Sequence, residues 1–577
     1  MQELSREKLY EAERVNNFKE LINRSAKLYP NHIAFKYRLK PKDEKIIEVT
    51  YSKFKDDIDN LGTSLLNLGL ANKRIIVIAP NRYEWCVSYL AVTTGNMVVV
   101  PLDKSLPKQE LIDSVIRSEA DAVIFDKKYL DTFKEIKTSN KSNLKTFICM
   151  DNIEDDDKSI YLYSQLIQEG KKLVAAGNRS HLDAKIDNNK MSVMLFTSGT
   201  TSLSKIVMLS HNNICSNIYS LSCIAKVTDE DTFLSFLPLH HTYESTTTFL
   251  YGLYCGITIA FCDGLRYVVD NLKEYKITGF VTVPLMLETM YKKILKGIKQ
   301  QHKTVLFKVM TFISNILLKF GIDIRRKLFK SIIEQLGGHL RVIVYGAASM
   351  DKNTIKGLSG IGINMLNGYG LTETSPVLSA ENDKYKKPGS VAFPMPGMQI
   401  KIDNPDEKGV GEICAKGPCV MLGYYNNEEA TNEVFKDGWF HTGDLGYYDK
   451  DGYLFISGRK KNVIVLKNGK NIFPEELEII ISKLPFVLEN MVYARTTKDN
   501  DIIVAVKIVY NKETMESLYP DKKQEDYYDI IWQEIKKINK TLPTYKYIKH
   551  LIITEEPMIK TTTQKIKRHE EIKRIIN

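Results

Sequence analysis

Between residues 15 and 125 the hydrophobic positions switch repeatedly between two periods. After Thr50-Tyr51-Ser52, the residues Phe54, Ile58, Leu61 and Leu65 recur at helical spacing, whereas Ile75–Ala79 and Val98–Pro101 are short apolar runs of the kind that form buried strands. The rhythm continues through Ala122–Asp126 and Thr146–Met150. Strands that alternate with helices predict a doubly wound, mostly parallel sheet, because each crossover helix has to cover one face of it. A further strand at Val193–Phe196 runs into a hydroxyl-rich loop and a second apolar run. From about residue 462 the pattern changes to a strand (Val463–Leu466), a turn at Gly469, a helix from Pro474, strands near Met491–Ala494 and Ile502–Val509, and a helix ending before Pro543. The expected fold is therefore α/β, with a large N-terminal domain (residues 1–460) of doubly wound, mostly parallel sheets and a small α+β C-terminal cap (residues 461–577).

Composition narrows the class. At 577 residues the chain is too long for a single core, and 43% hydrophobic with 26% charged residues is an ordinary globular balance. The net charge of +11 suits anionic nucleotides or an anionic membrane surface. Nucleic acid is not indicated, since no zinc-finger spacing, RNA-recognition signature or concentrated basic arm is present. The eight cysteines are scattered without a C-x-x-C pair, which argues for reduced thiols in a cytosolic protein and against metal ligation by Cys. The N-terminal MQELSREKLYEAERV lacks the apolar core of a secretory signal. The longest apolar run, Phe249–Cys262, falls short of the ~20 residues of a membrane span and is expected to be a buried strand or helix.

A basic insertion covers about residues 291–336. Between Tyr291 and Lys330, eleven Lys and Arg residues face one acid, Asp323. Thr304, Lys308, Thr311, Asn315 and Lys319 form a polar stripe at helical spacing, while Val305, Phe307, Val309, Phe312, Ile313, Ile316 and Phe320 form a wide apolar face. Such a helix either lies on an anionic bilayer as a peripheral contact or packs its apolar face on the sheet.

Four strings carry candidate chemistry. In Thr197-Ser198-Gly199-Thr200-Thr201, followed by Lys205, a glycine frees the backbone to turn its N–H groups inward, hydroxyls add donors and one cation faces a polyphosphate. Gly199 and Lys205 match the ends of a Walker A spacing, but Ser204 replaces its second glycine and Ile206 its Mg²⁺-binding hydroxyl, so this is not a P-loop. The run Phe233–Glu244 ends on adjacent His240 and His241, where open α/β sheets place ligands. Val342–Tyr345 leads into Gly346-Ala347-Ala348, a turn small enough for a flat base. It is followed by Asn367–Thr374, in which Tyr369 offers an aromatic face to adenine beside Gly370, Thr372 a phosphate donor, and Glu373 a carboxylate for Mg²⁺. In Gly438–Asn462, Asp444 can accept both ribose hydroxyls and Arg459 can donate to the ribose or the α-phosphate.

These strings, in this order from Thr50 to Arg568, resemble the adenylate-forming superfamily of acyl-CoA synthetases, luciferases and peptide-synthetase adenylation domains, and within it the long-chain fatty-acyl-CoA synthetases. The resemblance implies that the Gly346 turn borders adenine, that His241 lines the acyl side, and that Lys461 is a hinge. About that hinge a mobile cap would present Lys565 for adenylation and the Gly469 loop, beside a CoA tunnel, for thioester formation. The implied substrates are ATP with Mg²⁺, a fatty acid and CoA, with an acyl carrier protein as the alternative acceptor. The chain departs from the family pattern at Ser202, Ser204, Ile206 and Gln564, which leaves open a catalytically silent acyl- or nucleotide-binding relative. The implied location is cytoplasmic, with peripheral contact at the inner face of a membrane through the basic insertion.

Overall fold

The computed structural model describes residues 8–139, 141–155, 157–197, 204–348, 350–466, 470–497, 500–561 and 565–576. Two large sheets organise the N-terminal domain. The first runs in the order Gly423–Tyr424, Ile206–Ser210, Met191–Phe196, Val98–Pro101, Arg74–Ile78, Ala122–Phe125, Thr146–Cys149, Ile160–Leu162. It is parallel from Met191–Phe196 onward and antiparallel at its first two pairings. The second has nine strands, of which the six central ones are parallel, in the order Asn364–Gly370, Val342–Gly346, Gly279–Thr282, Thr232–Ser235, Thr258–Phe261, Ile33–Tyr37.

The expected elements form for the expected reasons. Thr50 caps the helix Tyr51–Asn67 by accepting from the Lys53 N–H, and Phe54, Ile58, Leu61 and Leu65 are all buried on one face. The helix Tyr83–Thr94 is buried along nearly its whole length, because it lies in the core that joins both sheets. Strand alternation splits the nine-stranded sheet into two faces. Phe233, Val342 and Leu366 belong to the core shared with the first sheet, whereas Leu234, Phe280, Ile343, Tyr345 and Met365 belong to a second core on the opposite side.

An antiparallel five-stranded sheet (Gln399–Asp403, Gly411–Lys416, Phe435–Lys436, Trp439–Tyr448, Leu454–Arg459) follows. Beyond it a three-stranded sheet, Val487–Thr496, Ile502–Tyr510 and Ile548–Thr554, packs against Pro474–Ile481 and Tyr527–Asn539 around a core of its own. The molecule is thus a mixed α/β protein with a large N-terminal and a smaller C-terminal domain.

Two expectations resolve in particular ways. The apolar run 249–262 is both helix and strand: a π-helical turn Ser245–Leu250 continues into Tyr251–Cys255, Gly256 turns the chain at φ 81°, and Thr258–Phe261 is a strand. In the insertion the helix forms over Thr304–Lys319, but its wide apolar face does not pack on the sheet. Phe307 turns inward with Met310, Thr311, Ser314 and Leu317, while Val305, Val309, Phe312, Ile313, Ile316 and Phe320 are exposed. Among the described residues no helix is long and apolar enough to cross a membrane.

One buried acid gives the fold a pH signature. Glu244 lies in the core beside the π-helical turn, where Thr248 Oγ1 donates to its Oε2 at 3.0 Å, and burial pushes its pKa up to about 8. Because the folded-state value lies above the ordinary one, the native state holds an extra proton across that window. The stability this confers is complete below the ordinary carboxylate value and is lost as pH rises through about 8. Glu244→Gln is isosteric and cannot ionise. In denaturant titrations its advantage over the wild type is expected to widen by about 1.4 kcal/mol per pH unit between about pH 5 and pH 8; parallel curves would show that Glu244 does not titrate there.

Candidate active site

The C-terminal ends of the parallel strands in the nine-stranded sheet point toward the five-stranded sheet and the cap. Between them lies a cavity of about 2340 Å³. Thr197, Lys205, His241, Ala347, Ala348, Tyr369, Gly370, Thr372, Glu373, Asp444, Arg459, Lys461 and Lys565 all line it, so residues 368 positions apart meet in one space. Gly346 stands just behind this lining. A Cβ there would lie 2.5 Å from the Gly368 carbonyl, so the glycine lets the two strands close beneath Ala347 and Ala348. At Gly370 a Cβ would lie 1.8 Å from the Pro376 carbonyl, a position no side chain could occupy. Ser198, Gly199, Thr200, Thr201, Ser202, Gly469 and Gln564 lie outside the described residues.

The centre of the site is a cross-strand pair. Asp444 on Trp439–Tyr448 sits opposite Arg459 on Leu454–Arg459, with Arg459 Nε 2.8 Å from Asp444 Oδ1. The Tyr369 hydroxyl donates to Asp444 Oδ2 at 2.8 Å. Tyr369 therefore couples the YGLTET string to this carboxylate as well as offering its ring to the cavity. Burial raises the pKa of Asp444, opposed by Arg459 and the Tyr369 hydrogen bond.

On one side of this pair the Tyr424 hydroxyl donates to Glu373 Oε1 at 3.0 Å, and Lys205 Nζ stands 4.6 Å from the centre of the Tyr424 ring. Tyr424 was not singled out by sequence, because Gly423-Tyr424-Tyr425 carries no pattern tying it to Glu373. Thr197 N–H and Oγ1 both donate to the Lys205 carbonyl, at 2.9 and 3.2 Å, which brings the two ends of the hydroxyl-rich loop together. Arg117, a second residue the sequence did not reveal, donates to Ser204 Oγ at 3.2 Å. Ile206 is buried and pairs with Phe196, so that departure is a strand position in a core.

Lys565 enters from the cap on a short hairpin closed by the Lys560–Ile566 bridge and by the Thr561 N–H bond to its carbonyl at 2.8 Å. One ion pair anchors this hairpin, Lys560 to Glu489 at 2.6 Å, and two more anchor the helix Arg568–Ile576 that follows it, Arg568 to Glu478 and the buried Lys507 to Glu571 at 2.7 Å. Lys565 is exposed within the cavity, yet the protein around it, and then Arg459, push its pKa down, while Asp444 and Glu373 pull it up. Lys461 is likewise lowered by burial and by Arg459. The adjacent Lys460 pairs with Glu412 at 2.9 Å.

The other side of the cavity is largely apolar. The His240 and His241 rings lie 4.2 Å apart between centres with their planes tilted by 41°, and burial holds both neutral at pH 7, His240 down to about 3. His240 Nε2 faces Asp103 Oδ2 at 3.6 Å. Past His241 and Tyr243 the cavity runs along the first face of the nine-stranded sheet in two layers set by strand register. Val281, Val344 and Leu366 form the nearer layer, and Phe233, Val342 and Asn364 the deeper one. Lys226 and Asp383, both exposed, line its far end.

The donor set fits a hard cation. Glu373 presents a carboxylate to the cavity beside Lys205 and Thr372, and a carboxylate oxygen is a donor that suits Mg²⁺. Separately, Asp403, Cys414 and His441 bring ligand atoms within 4.8 Å of one another, although cysteine spacing argued against such a group; Lys401 lies 3.6 Å from Asp403 and offsets its charge.

The AMP-binding enzyme family matches residues 22–425 and the AMP-binding enzyme C-terminal domain family matches residues 461–575. The chain is 30% identical to long-chain-fatty-acid–CoA ligase 5 of Mus musculus over 90% of its own length and 82% of that protein. It is 27% identical to a chloroplastic long-chain-fatty-acid–acyl-carrier-protein ligase of Arabidopsis thaliana, over 94% and 83% of the two chains. Among solved structures, the anthranilate CoA ligase AuaEII in complex with anthranoyl-AMP shares the fold, with a TM-score of 0.76, 17% identity and coverage of 98% and 97%. The cavity, the four strings that line it and these matches agree: the chain belongs to the AMP-binding enzyme family.

Proposed function

We propose that this enzyme activates a long-chain fatty acid with ATP to an acyl adenylate and then transfers the acyl group to CoA. The observation that carries this reading is the convergence of Lys205, Glu373, Asp444, Arg459 and Lys565 at one end of a cavity whose other end is an apolar passage. A carboxylate is a weak nucleophile that has to approach an anionic triphosphate, so cations must offset both charges. Asp444 accepts from the ribose hydroxyls and is held for that task by Arg459 and Tyr369. Lys205, Thr372 and Thr197 would face the β- and γ-phosphates. Glu373 holds Mg²⁺, which supplies further charge neutralisation at the phosphates.

Lys565 stands over the reacting centre. A carboxylate oxygen attacks the α-phosphorus, the bond to the bridging β-phosphate oxygen breaks, and pyrophosphate leaves; Lys565 stabilises the charge that develops there. Neutral His241 bounds the acyl carboxyl without adding a second cation. The thiol sulfur of CoA then loses its proton and attacks the acyl carbonyl, the carbon–oxygen bond breaks, and AMP leaves. We place the boundary between the two domains at residues 460 and 461, with Lys461 the hinge about which the cap turns to bring the Gly469 loop to a CoA tunnel. All eight cysteines are free, which supports a reducing compartment such as the cytosol. The basic insertion supports peripheral contact with a membrane.

A second reading, transfer to an acyl carrier protein, is favoured by the relative in Arabidopsis thaliana. Product masses from enzyme, ATP and palmitate with either thiol separate the two: acyl-CoA is expected, and acylated carrier protein alone would overturn the CoA reading.

Lys565→Ala is expected to slow pyrophosphate release by about 100- to 1000-fold while leaving thioester formation from added acyl adenylate within a few-fold of wild type; equal loss in both half-reactions would contradict its assignment to the first. The deeper cavity layer is expected to set chain length. Val342→Trp fills it, so pyrophosphate release across acids from acetate to stearate should shift toward shorter chains with octanoate turnover retained. An unchanged profile would place the acyl chain elsewhere.

A further inference from the structure

We propose that the outward face of helix Thr304–Lys319 docks on an anionic phospholipid bilayer and sets the far mouth of the acyl cavity at headgroup level, so that the acid enters from the membrane, carboxylate first. This rests on the reading of a long-chain acid as substrate.

The helix has an unambiguous inner face. Phe307 meets the Phe329 ring at 5.3 Å, Ser314 is fully buried, and Thr311 lies against Gly360. Directly opposite, Val305 is 76%, Phe312 67% and Ile316 40% exposed, and Phe320 beyond the helix end is 77% exposed. A contiguous ridge of this kind is uncommon on a surface that meets only water. Lys308 and Lys319 flank it along one side, and Lys292, Lys296 and Lys299 are exposed on the preceding helix, Pro284–Gln300. The one acid between 291 and 330, Asp323, is held by Arg325 at 2.7 Å. An apolar ridge edged by lysines matches the boundary between acyl chains and anionic headgroups, where cations near the surface add electrostatic attraction. A second copy of the chain packed ridge to ridge would set like charges against each other, which favours the bilayer as occupant.

The segment after this helix leads to the cavity. Arg325 Nη1 donates to the Ser359 carbonyl at 2.9 Å, and a Cβ at Gly362 would lie 2.8 Å from Arg326 Cγ, so residues 325 and 326 pack on the chain that enters the strand Asn364–Gly370. Asn364 lines the far end of the cavity with Lys226 and Asp383, and its side chain is bonded by Lys386. The far mouth therefore carries Lys226 beside Asp383 and lies next to the segment that follows the ridge. A fatty acid in a bilayer holds its carboxylate at headgroup level. Met by Lys226, it would pass Val342 and Val344 head first and arrive with its carboxylate toward His241 and Lys565, the orientation adenylation requires.

Vesicle flotation of the full chain tests this, using phosphatidylcholine with and without phosphatidylglycerol, for wild type, Phe312→Glu/Ile316→Glu and Lys308→Glu/Lys319→Glu. All four positions are exposed. The wild type is expected to float only with phosphatidylglycerol, and either double variant to lose about tenfold or more of that binding. Adenylation of vesicle-borne palmitate should fall in parallel, with octanoate in free solution turned over at an unchanged rate. Absence of wild-type flotation, or flotation that the glutamates leave unchanged, overturns the proposal. So does light scattering that shows the ridge variants splitting a dimer without altering vesicle binding, which would make a second copy the occupant. Flotation as expected with no adenylation of any acid would sink the ligase reading and leave the docking surface standing.

Discussion

The Asp444–Arg459 pair is the interaction around which the site is assembled. Each residue alone would be an expensive burial, a carboxylate and a guanidinium taken largely out of water. Together, on adjacent antiparallel strands, with Tyr369 satisfying the second carboxylate oxygen, they form a hydrogen-bonded unit that fixes the five-stranded sheet against the nine-stranded one. Arg459 is also the last residue of its strand, two positions before Lys461. The residue that orients the carboxylate thus stands two positions before the proposed hinge, and after enclosure by protein it is the second influence that lowers the pKa of Lys565.

The remaining architecture follows from where parallel strands end. Six parallel strands put their carboxyl ends on one edge, so the turns after Val342–Gly346 and Asn364–Gly370 are neighbours there although they carry different strings. The same alternation that buries Ile343 and Tyr345 on one face leaves Val342 and Val344 on the other, along the acyl passage. The proposed nucleotide and acyl regions are therefore two outcomes of one sheet: its edge carries polar turns and its face lines the apolar passage.

Much of this was legible in the chain. Buried parallel strands read as continuous apolar runs, so Val98–Pro101 and Ala122–Phe125 were found nearly to the residue, and the Thr50 cap marked its helix. The side chains named from the four strings meet in the cavity wherever the structure describes them, apart from Gly346, which lies behind it. What was not legible depends on partners distant in sequence. Tyr424 to Glu373 and Arg117 to Ser204 are contacts between types with many other uses, and nothing local marks them. The insertion helix shows the limit most plainly. Its period fixed the helix, but two broad faces were available, and the face that turned inward carries the small Ser314, fully buried, and Thr311, which lies against Gly360. Small residues therefore took the inside and Val305, Phe312 and Ile316 were left outward.

Adenylation requires that the carboxylate itself attack the α-phosphorus. Palmitate labelled with ¹⁸O in its carboxyl group, turned over with ATP and CoA, tests this in one experiment. Because the acyl carbon–oxygen bond breaks in the second step, one labelled oxygen is predicted to remain on AMP, with pyrophosphate unlabelled. Label in inorganic phosphate, with ADP as the nucleotide product, would mean attack at the γ-phosphorus and would contradict the account.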